Sequence, residues 1–373
     1  MPPSKKNAPP AVLHLSSPLS WRGGEQQLYY LYKELDQLDV KQFLFASESG
    51  ALSRRFEEEA LPVFTFKKSF SLNPMTARKL AMLARHLKVD LVHAHDSHAH
   101  SIAVIASSLF GMKQPIILHR RVDFKPKKSP LKLWKYNHQA IAKIICISEK
   151  IKLGLSDLIH DQKKLTTIHS CVDPQRFKNK STGKLRKELG LSTNTPIVAN
   201  IAALTPEKDY PTWLKAASII LKKRPECHFT AFGAGEEYLI KLNSFAQELK
   251  IKSQVHFMGH RTDLSELMSD VDVLMFTSKK EGLGTSILDA FCCDIPVVAT
   301  NTGGIPELIQ HGQTGLLAEI GASEEIASYV LDLLNQQSLR DKLTYNARES
   351  LKNFTCQNMA RRIKRIYQLS YVT

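Results

Sequence analysis

The stretch FTSKKEGLGTSILDAFCCDIPVVATNTGGIPELI, residues 276–309, decides the fold class. It alternates short β-branched runs with stretches of helical length: strand, loop, helix, strand, glycine-rich turn and helix. This alternation is typical of parallel sheets whose crossover connections are helices. The loop 281–284 lies directly before a helix that we expect to begin near Thr285 or Ser286. Backbone amides at that helix start would face a bound anion such as a diphosphate.

Two acidic residues flank this helix start. Glu281 lies in the loop, and Asp289 lies about one turn into the helix. Both carboxylates could therefore reach hydroxyl groups of a sugar and of a ribose. The alternative is that they are an ordinary N-terminal helix charge and a solvated helix face.

The same alternation runs along the whole chain and predicts an α/β fold with two doubly wound, Rossmann-like domains. A polar, turn-rich stretch at 173–195 marks the boundary. We assign 1–175, with a C-terminal helix at about 356–373, to the first domain and 176–355 to the second, although that helix could pack on either. In such sheets, ligands bind beyond the carboxyl ends of the strands, which predicts a site in the cleft between the domains. The expected strands are 11–15, 42–46, 63–66, 91–95, 115–119, 144–147, 166–168, 197–202, 228–232, 255–258, 271–276, 296–299 and 315–317.

Three further loops carry residues suited to a phosphorylated ligand. Gly233 and Gly235 follow an expected strand and allow close backbone approach to a nucleotide. Lys208 follows the first strand of the second domain, where its ammonium could neutralise a phosphate; the alternative is an exposed lysine before a helix. Gly23 and Gly24 join the first strand to the first helix and would let the backbone approach a ligand in the cleft.

A histidine-rich run ends the fourth expected strand. His93 and His95 share one face of that strand, so a metal site completed by His98 or Asp96 is conceivable. A ligand set confined to so few residues does not match known zinc spacings. We therefore expect His95 to be a polar cleft residue and His93 to be structural, with no metal bound.

The charge is unevenly distributed along the chain. Residues 1–180 hold 29 Lys and Arg against 15 Asp and Glu, or +14, whereas residues 181–373 hold 22 against 21, or +1. Such asymmetry predicts an anionic partner for the first half: an acidic membrane face, a phosphorylated acceptor or nucleic acid. The alternative is a basic but otherwise unspecialised surface. Because the charge is accompanied by no recognisable nucleic-acid module, we do not expect nucleic-acid binding.

Part of this charge lies in a run at 119–128, which continues into an apolar and aromatic ridge at 131–136. Cations beside such a ridge suit an anionic membrane interface or a phosphorylated saccharide. The alternative is a solvated loop followed by a buried helix face. The candidate acceptor or membrane residues are Arg120, Arg121, Lys125, Lys127 and Lys128.

Length and composition exclude several classes of protein. With 373 residues, 43% of them hydrophobic, the chain can form two globular domains and is neither a fibre nor disordered. It contains no apolar run long enough to span a bilayer, and the start MPPSKKNAPP lacks the core of a secretion signal. We expect a cytoplasmic protein that can attach peripherally to the inner face of the cell membrane. The six cysteines form no CxxC pair, so we expect reduced thiols at Cys146, Cys171, Cys227, Cys292, Cys293 and Cys356.

Taken in order, these segments resemble the retaining nucleotide-sugar glycosyltransferases of the GT-B fold, glycosyltransferase family 4. The resemblance covers nearly the whole chain. Each segment alone is weak evidence for this family, but the whole set in this order is specific to it. The segments are GGE at 23–25, DLVHAHDS at 90–97, ICISEK at 145–150, TTIHSCVDPQRF at 166–177, ALTPEKDY at 203–210, FGAGEE at 232–237, VHFMGHRTDL at 255–264, EGLGTSILDA at 281–290, and the stretch 296–317 with PVVATNTGGIPELI and GQTGLL.

The resemblance implies a role for each candidate residue. Glu281 would contact the transferred sugar, Asp289 the ribose and Lys208 the leaving diphosphate. Gly23 and Gly24 would line the cleft between donor and acceptor, and His95 would lie near the reacting carbon. The family uses no metal or other cofactor. The loop whose amides would contact the phosphates consists of Gly282, Leu283, Gly284 and Thr285.

The chain departs from the family pattern at three positions. Ala203 stands where an arginine is usual, so one phosphate contact must come from elsewhere, for example from Arg22 or Arg261. Asp289 is one methylene shorter than the usual glutamate, and Asp209 replaces a glycine. These departures weaken the prediction of which donor is bound, but they do not affect the prediction of the fold.

From the residues and the resemblance we expect the protein to transfer a sugar from a nucleotide-diphosphate donor to an anionic or lipid-linked saccharide, with retention of the anomeric configuration. Such an activity belongs to cell-envelope glycan, lipopolysaccharide or polysaccharide assembly. Two alternatives stay open: a non-hydrolysing nucleotide-sugar epimerase, and a catalytically silent anion-binding protein.

Overall fold

The computed structural model describes residues 10–68, 73–123, 129–177 and 183–371. Within them the chain forms two compact units. Unit 1 ends at Cys171 and resumes at Thr355, and unit 2 spans Val172–Phe354. Each unit is a parallel sheet with helical crossovers, which confirms the predicted α/β class.

The sheet of unit 1 has the strand order β3-β2-β1-β4-β5-β6-β7, and all its neighbouring strands are parallel. Its strands are β1 Val12–Ser16, β2 Gln42–Ser47, β3 Val63–Phe66, β4 Leu91–Ala94, β5 Ile116–Arg120, β6 Ile141–Cys146 and β7 Leu165–Thr167. The helices along this part of the chain are α1 Gly23–Asp36, α2 Ala51–Glu58, α3 Pro74–His86, α4 Ser97–Phe110, α5 Pro130–Tyr136 and α6 Glu149–Ser156.

Unit 2 repeats this plan with the order β10-β9-β8-β11-β12-β13, again parallel. Its strands are β8 Ile197–Ile201, β9 His228–Phe232, β10 Val255–Gly259, β11 Val273–Phe276, β12 Val297–Thr300 and β13 Leu316–Ala318. Its helices are α7 Lys184–Glu188, α8 Tyr210–Leu221, α9 Glu236–Glu248, α10 Leu264–Leu267, α11 Thr285–Cys292, α12 Ser323–Asn335 and α13 Gln337–Ser350.

All thirteen predicted strands overlap a strand of the structure. The reason is that most of them are covered on both faces and so read as continuous apolar runs. The boundaries differ most at β6, which begins at Ile141 rather than at residue 144. Lys143 looks like a surface residue in the sequence, but it lies within β6 and its Nζ donates to the carbonyl of Lys163 (2.7 Å).

The last helix, α14 Cys356–Tyr371, belongs to unit 1. Its apolar side packs with α1, β1 and β4 through Met359, Ile363 and Tyr367, which are all buried. Fully burying an aliphatic side chain of this size contributes about 1.5–3 kcal/mol. None of the helices in the described part of the chain has the length and apolar content to cross a bilayer.

The expectation that all six cysteines are reduced is wrong for two of them. Cys171 and Cys356 form a disulfide, with their Cα atoms 5.0 Å apart. The two residues are separated by 185 positions in sequence, so no local spacing revealed the pair. The bond joins the end of the first segment of unit 1 to the first residue of α14.

Candidate active site

The carboxyl ends of β8 and β11 bring together the two residues expected to act on a sugar donor. Because these strands are neighbours in the sheet, the loops that follow them meet at one edge. Lys208 ends the short helical turn Pro206–Lys208, and its Nζ forms an ion pair with the carboxylate of Glu281 in the loop after β11. The Lys208 and Glu281 side chains are 20% and 13% exposed, so water screens the pair only partly.

Hydroxyl groups fix the loop that carries Glu281. Thr300 Oγ1 donates to the carbonyl of Ser278 (2.6 Å), and Thr302 Oγ1 donates to that of Lys279 (2.9 Å). Ser278 Oγ in turn donates to the Glu281 carboxylate (3.3 Å). The end of β12 and the turn after it therefore hold the carboxylate in place.

Gly303 makes the closest approach in this site. Its φ of +58° lies in the left-handed region, and a Cβ built on it would fall 1.9 Å from the carbonyl oxygen of Glu281. The next amide, Gly304 N, donates to that same oxygen (3.2 Å). Only glycine allows the turn after β12 to lie this close to the Glu281 backbone.

The start of α11 has the form expected of a phosphate site. Gly284 is its N-cap and the helix begins at Thr285. Gly282 N donates to the Glu281 carboxylate (3.2 Å), whereas the amides of Leu283, Gly284 and Thr285 donate to no group of the described chain. These amides at the positive end of the helix dipole suit a diphosphate.

Asp289 lies one turn further along α11. Burial raises the pKa of its carboxyl to about 6, and the nearby guanidinium of Arg176 opposes this shift. The carboxylate is therefore mostly ionised at pH 7. Ser286 Oγ fixes the intervening turn by donating to the carbonyl of Ile201 at the end of β8 (2.8 Å).

The structure bears on two of the departures from the family pattern, Asp209 and the arginine missing at Ala203. Asp209 adopts φ +49°, which explains why a glycine is usual there; its carboxylate accepts from Thr212 Oγ1 (2.7 Å) and pairs with Lys279 Nζ (2.9 Å). Arg261 does not offer a replacement for the arginine missing at Ala203. Its guanidinium is held by Glu188 and Asp263, at distances of 2.6–3.1 Å.

Gly233 and Gly235 are explained by packing within unit 2. A Cβ on Gly233 would fall 2.0 Å from the carbonyl oxygen of Ala202, and one on Gly235 would fall 2.3 Å from that of Leu204. The loop after β9 thus lies against the loop after β8. That these glycines also contact a nucleotide stays a prediction.

A cavity of about 320 Å³ lies at the carboxyl edge of the unit 1 sheet. Its walls come from the β1–α1 connection, the start of α4 and the end of β5. Among the residues that line it are Arg22, Gly24, Glu25, His95, Asp96, His100, His119, Arg120, Arg121 and Tyr136. Several of its lining residues therefore carry guanidinium or imidazole groups.

Arg120 and Arg121 line this cavity and do not form an exposed membrane face, which corrects that alternative for both. Arg120 is buried. Arg121 Nη2 contacts His119 Nδ1 (3.3 Å), while its Nε and Nη1 are buried without a partner among the described residues. Burial lowers the pKa of Arg121 to about 10, still cationic at neutral pH. The basic run at 119–128 suggests an exposed surface, because the sequence alone does not reveal that Arg120 is buried. Lys125, Lys127 and Lys128 lie outside the described residues.

Gly23 and Gly24 form the first turn of α1, where Glu25 completes a capping box by accepting from Arg22 N (3.0 Å). Gly24 lies against Arg121, because a Cβ on it would be 3.6 Å from Arg121 Cδ. Gly24 lines the cavity, whereas Gly23 is exposed.

His95 belongs to a buried group of imidazoles in unit 1. His14 and His93 are paired residues of β1 and β4, and His119 of β5 stacks on His93 at a centroid distance of 5.3 Å. Burial lowers the pKa of His14 to about 4 and those of the other three well below the usual value. His93 Nδ1 shares a hydrogen bond with Tyr367 OH of α14 (2.6 Å), which links β4 to the last helix; that His93 is structural stays a prediction.

The structure changes the candidate metal set. Asp96 caps α4 and accepts from Ser17 Oγ (2.6 Å), so its carboxylate is used within the fold. Among the described residues, the group close enough to share an ion is instead His14, His93 and His95. His14 Nδ1 and His95 Nε2 already share a hydrogen bond (3.0 Å). The nearby Arg121 guanidinium further disfavours a cation.

Several contributing residues were not singled out from the sequence. Gly303 is visible in the sequence as the first of two adjacent glycines, 303 and 304. Nothing in the neighbouring sequence, however, indicates which backbone segment it approaches. His14 and Gln42 look like ordinary strand residues. Only the register that places His14 beside His93 could have drawn attention to them.

Two protein-family models match the chain. The model "Glycosyltransferase Family 4" matches residues 21–176, and "Glycosyl transferases group 1" matches residues 181–350. Together they cover most of both units.

Individual proteins and solved structures that resemble the chain agree with these two family matches. N-acetyl-alpha-D-glucosaminyl L-malate synthase of Bacillus anthracis is 26% identical over 297 residues, 78% of this chain and 77% of that protein. The lipopolysaccharide core biosynthesis glycosyltransferase LpsE of Rhizobium meliloti is 28% identical over 166 residues, 44% of this chain and 47% of its own. The crystal structure of Anabaena HepE in complex with UDP-glucose superposes with a TM-score of 0.85 at 23% identity, covering 95% of this chain and 98% of HepE.

Proposed function

Because the chain belongs to glycosyltransferase family 4 and has the GT-B fold, we propose that it transfers a sugar from a nucleotide-diphosphate donor with retention of configuration. The proposed acceptor is an anionic or lipid-linked saccharide. The observation that carries the proposal is the convergence of Lys208, Glu281 and the start of α11 in unit 2. These groups offer a cation, a sugar-binding carboxylate and free amides at one sheet edge.

In the proposed reaction, unit 2 holds the donor. The diphosphate lies against Lys208 and the amides of 283–285, which take up its charge as the bond from the anomeric carbon to the phosphate oxygen breaks. Glu281 binds the sugar and Asp289 the ribose. The acceptor oxygen attacks on the face that the diphosphate leaves, and its proton passes to a diphosphate oxygen. No metal is required in this scheme, so turnover should persist in excess chelator.

The donor is best sought among uridine nucleotides. HepE was crystallised with UDP-glucose, and the Bacillus relative is named for an N-acetylglucosaminyl product. A thermal-shift screen against uridine, guanosine and adenosine diphosphates and their sugars would identify the base. A ligand present at 100 times its Kd adds about 2.7 kcal/mol to stability.

The cavity of unit 1 supports an anionic acceptor. Arg121 brings a buried guanidinium to its wall with two nitrogen atoms unpartnered in the described chain. Buried N–H groups without a hydrogen-bond partner are costly, and a carboxylate or phosphate could accept from both. The relative named for L-malate illustrates an acceptor with acidic groups.

A peripheral, cytoplasmic attachment to anionic membranes completes the proposal. Leu131 and Trp134 on α5 are 56% and 43% exposed and follow the basic run. Binding to vesicles containing phosphatidylglycerol should fall steeply between 50 and about 300 mM salt, because exposed charges are screened. Binding that is indifferent to salt would contradict this part of the proposal.

The decisive experiment is product analysis with UDP-glucose, with and without an extract of acidic glycans. A transferase releases UDP and glycosylates an acceptor, or slowly releases glucose to water. An epimerase would convert the donor sugar with no acceptor present. The silent alternative, which Ala203 favours, predicts donor binding without turnover.

A further inference from the structure

A chain of hydrogen bonds in the core of unit 1 begins at the side-chain amide of Gln42. Gln42 Nε2 donates to the carbonyl of Tyr32 (2.6 Å), which leaves Oε1 to face His14 Nε2 at 3.2 Å. A carbonyl oxygen only accepts hydrogen bonds. His14 therefore carries its proton on Nε2.

This assignment determines the tautomer of the next ring. Burial keeps His14 neutral, so its Nδ1 is a bare acceptor, and His95 Nε2 lies 3.0 Å from it. His95 Nε2 must then be the donor. Because burial also keeps His95 neutral, its Nδ1 is left as a lone pair. That atom is buried and has no partner among the described residues, and His95 lines the unit 1 cavity.

We propose that Gln42 and His14 are positioning residues that hold His95 as the Nε2-protonated tautomer, so that Nδ1 accepts a hydrogen bond from a hydroxyl group bound in the cavity. The inference rests on the proposed function, in which that hydroxyl belongs to the sugar acceptor. A hydroxyl that donates to Nδ1 keeps its oxygen lone pairs for attack. An ether at the same position could not donate and would be rejected.

The surrounding groups are consistent with this role. The hydrogen bonds of His93 and His119 are made at Nδ1, to Tyr367 and Arg121, and His93 Nε2 has no hydrogen-bond partner among the described residues. The hydrogen bond of His95 Nε2 is therefore the one to His14. Arg121 disfavours a proton on His95, which keeps the lone pair available at neutral pH. The ring is thus an acceptor throughout the physiological range.

The first test is nitrogen-15 NMR of the full chain labelled at histidine. We expect His95 Nδ1 to resonate as a pyridine-like nitrogen in the wild type and in His14→Asn, whose amide oxygen can take the place of Nδ1. In His14→Leu and in Gln42→Met the constraint is removed, and Nδ1 should shift toward the protonated position. A protonated Nδ1 in the wild type, or an unchanged one in both disruptive variants, overturns the proposal. Far-UV circular dichroism and the His93 resonances identify any variant that is misfolded.

The second test is cleavage of UDP-glucose, with water in the place of the acceptor hydroxyl. We expect kcat to fall about tenfold in His14→Leu and to recover in His14→Asn, since one hydrogen bond is at stake. The KM for UDP-glucose should not change, because unit 2 holds the donor. Equal kcat in all variants overturns the positioning role. A wild type that cleaves no donor counts against the proposed function, and the NMR result then decides the tautomer by itself.

Discussion

Lys208 and Glu281 lie 73 residues apart in sequence and form an ion pair at the carboxyl edge of the unit 2 sheet. The ammonium and the carboxylate neutralise each other in this pair. A donor would supply a diphosphate for the lysine and sugar hydroxyls for the carboxylate. The pair therefore keeps both groups positioned without leaving either charge unpaired.

Removing either partner should abolish most donor turnover. We expect Lys208→Ala and Glu281→Gln each to lower kcat for UDP-glucose about 10²–10³-fold, because in the proposed reaction Lys208 takes up the charge of the leaving diphosphate and Glu281 binds the transferred sugar. Lys215→Ala, on the exposed side of α8, is the matched control and should behave as the wild type. The double variant should lose less than the product of the single losses, since the residues act on one donor. Wild-type turnover in Lys208→Ala would remove the lysine from the mechanism.

Gly303 should be intolerant of any side chain. Its substitution by alanine forces the Glu281 carbonyl away and strains a left-handed residue, which together cost about 2–4 kcal/mol in unfolding free energy. Donor turnover should fall with it, because Glu281 moves. Gly312→Ala is the control: its φ is +71°, but no atom lies within 4 Å of the added Cβ. That control should cost about 1 kcal/mol and leave turnover intact. Urea denaturation and donor kinetics measure both effects, and equal losses in the two variants would contradict the close approach.

The carboxyl of Asp289 should make stability depend on pH. Its folded pKa of about 6 lies above the ordinary value of 3.8, so folding favours the protonated form. The group is not penalised below pH 4 and destabilises the fold increasingly as the pH rises through 6. We expect Asp289→Asn to be more stable than the wild type at pH 8, by about 3 kcal/mol, and the gain to vanish near pH 4.

Donor binding should show the opposite dependence. The ionised carboxylate accepts ribose hydroxyls, so the affinity of the wild type for UDP should rise between pH 5 and 7. Asp289→Asn should bind UDP more weakly and with a shallower profile, which keeps only the contribution of the UDP terminal phosphate, whose second ionisation also falls at about pH 6. Calorimetric titration at several pH values measures this, and parallel profiles for the two proteins would exclude a role for Asp289 in binding.

The disulfide should stabilise unit 1 through α14. Cys356→Ser should lower the unfolding free energy by about 2–4 kcal/mol, because the bond closes a long loop of chain. Dithiothreitol should destabilise the wild type similarly and have no further effect on the variant. Non-reducing peptide mapping tests the pairing directly, and finding both thiols free in protein purified without reductant would refute it.

The site itself was only partly predictable. Lys208, Glu281 and Asp289 could be placed together because each follows or lies near the end of a strand in a sheet whose strands all run one way. Asp209 shows a limit of this reasoning. The sequence shows an aspartate in place of a glycine, but its left-handed backbone and its bonds to Thr212 and Lys279 depend on neighbouring chain segments.

The amino-acid sequence alone determined the thirteen strands, the two-unit α/β plan and the edge of each sheet where a ligand would bind. These features follow from local periodicity, since burial on both faces produces apolar runs and turns require particular residues. Tertiary structure alone decided that Arg120 is buried, that Cys171 meets Cys356, that Gly303 approaches Glu281 and that His14 Nδ1 lies beside His95 Nε2. Each of these depends on which distant segments of the chain become neighbours, and the local sequence pattern does not show this.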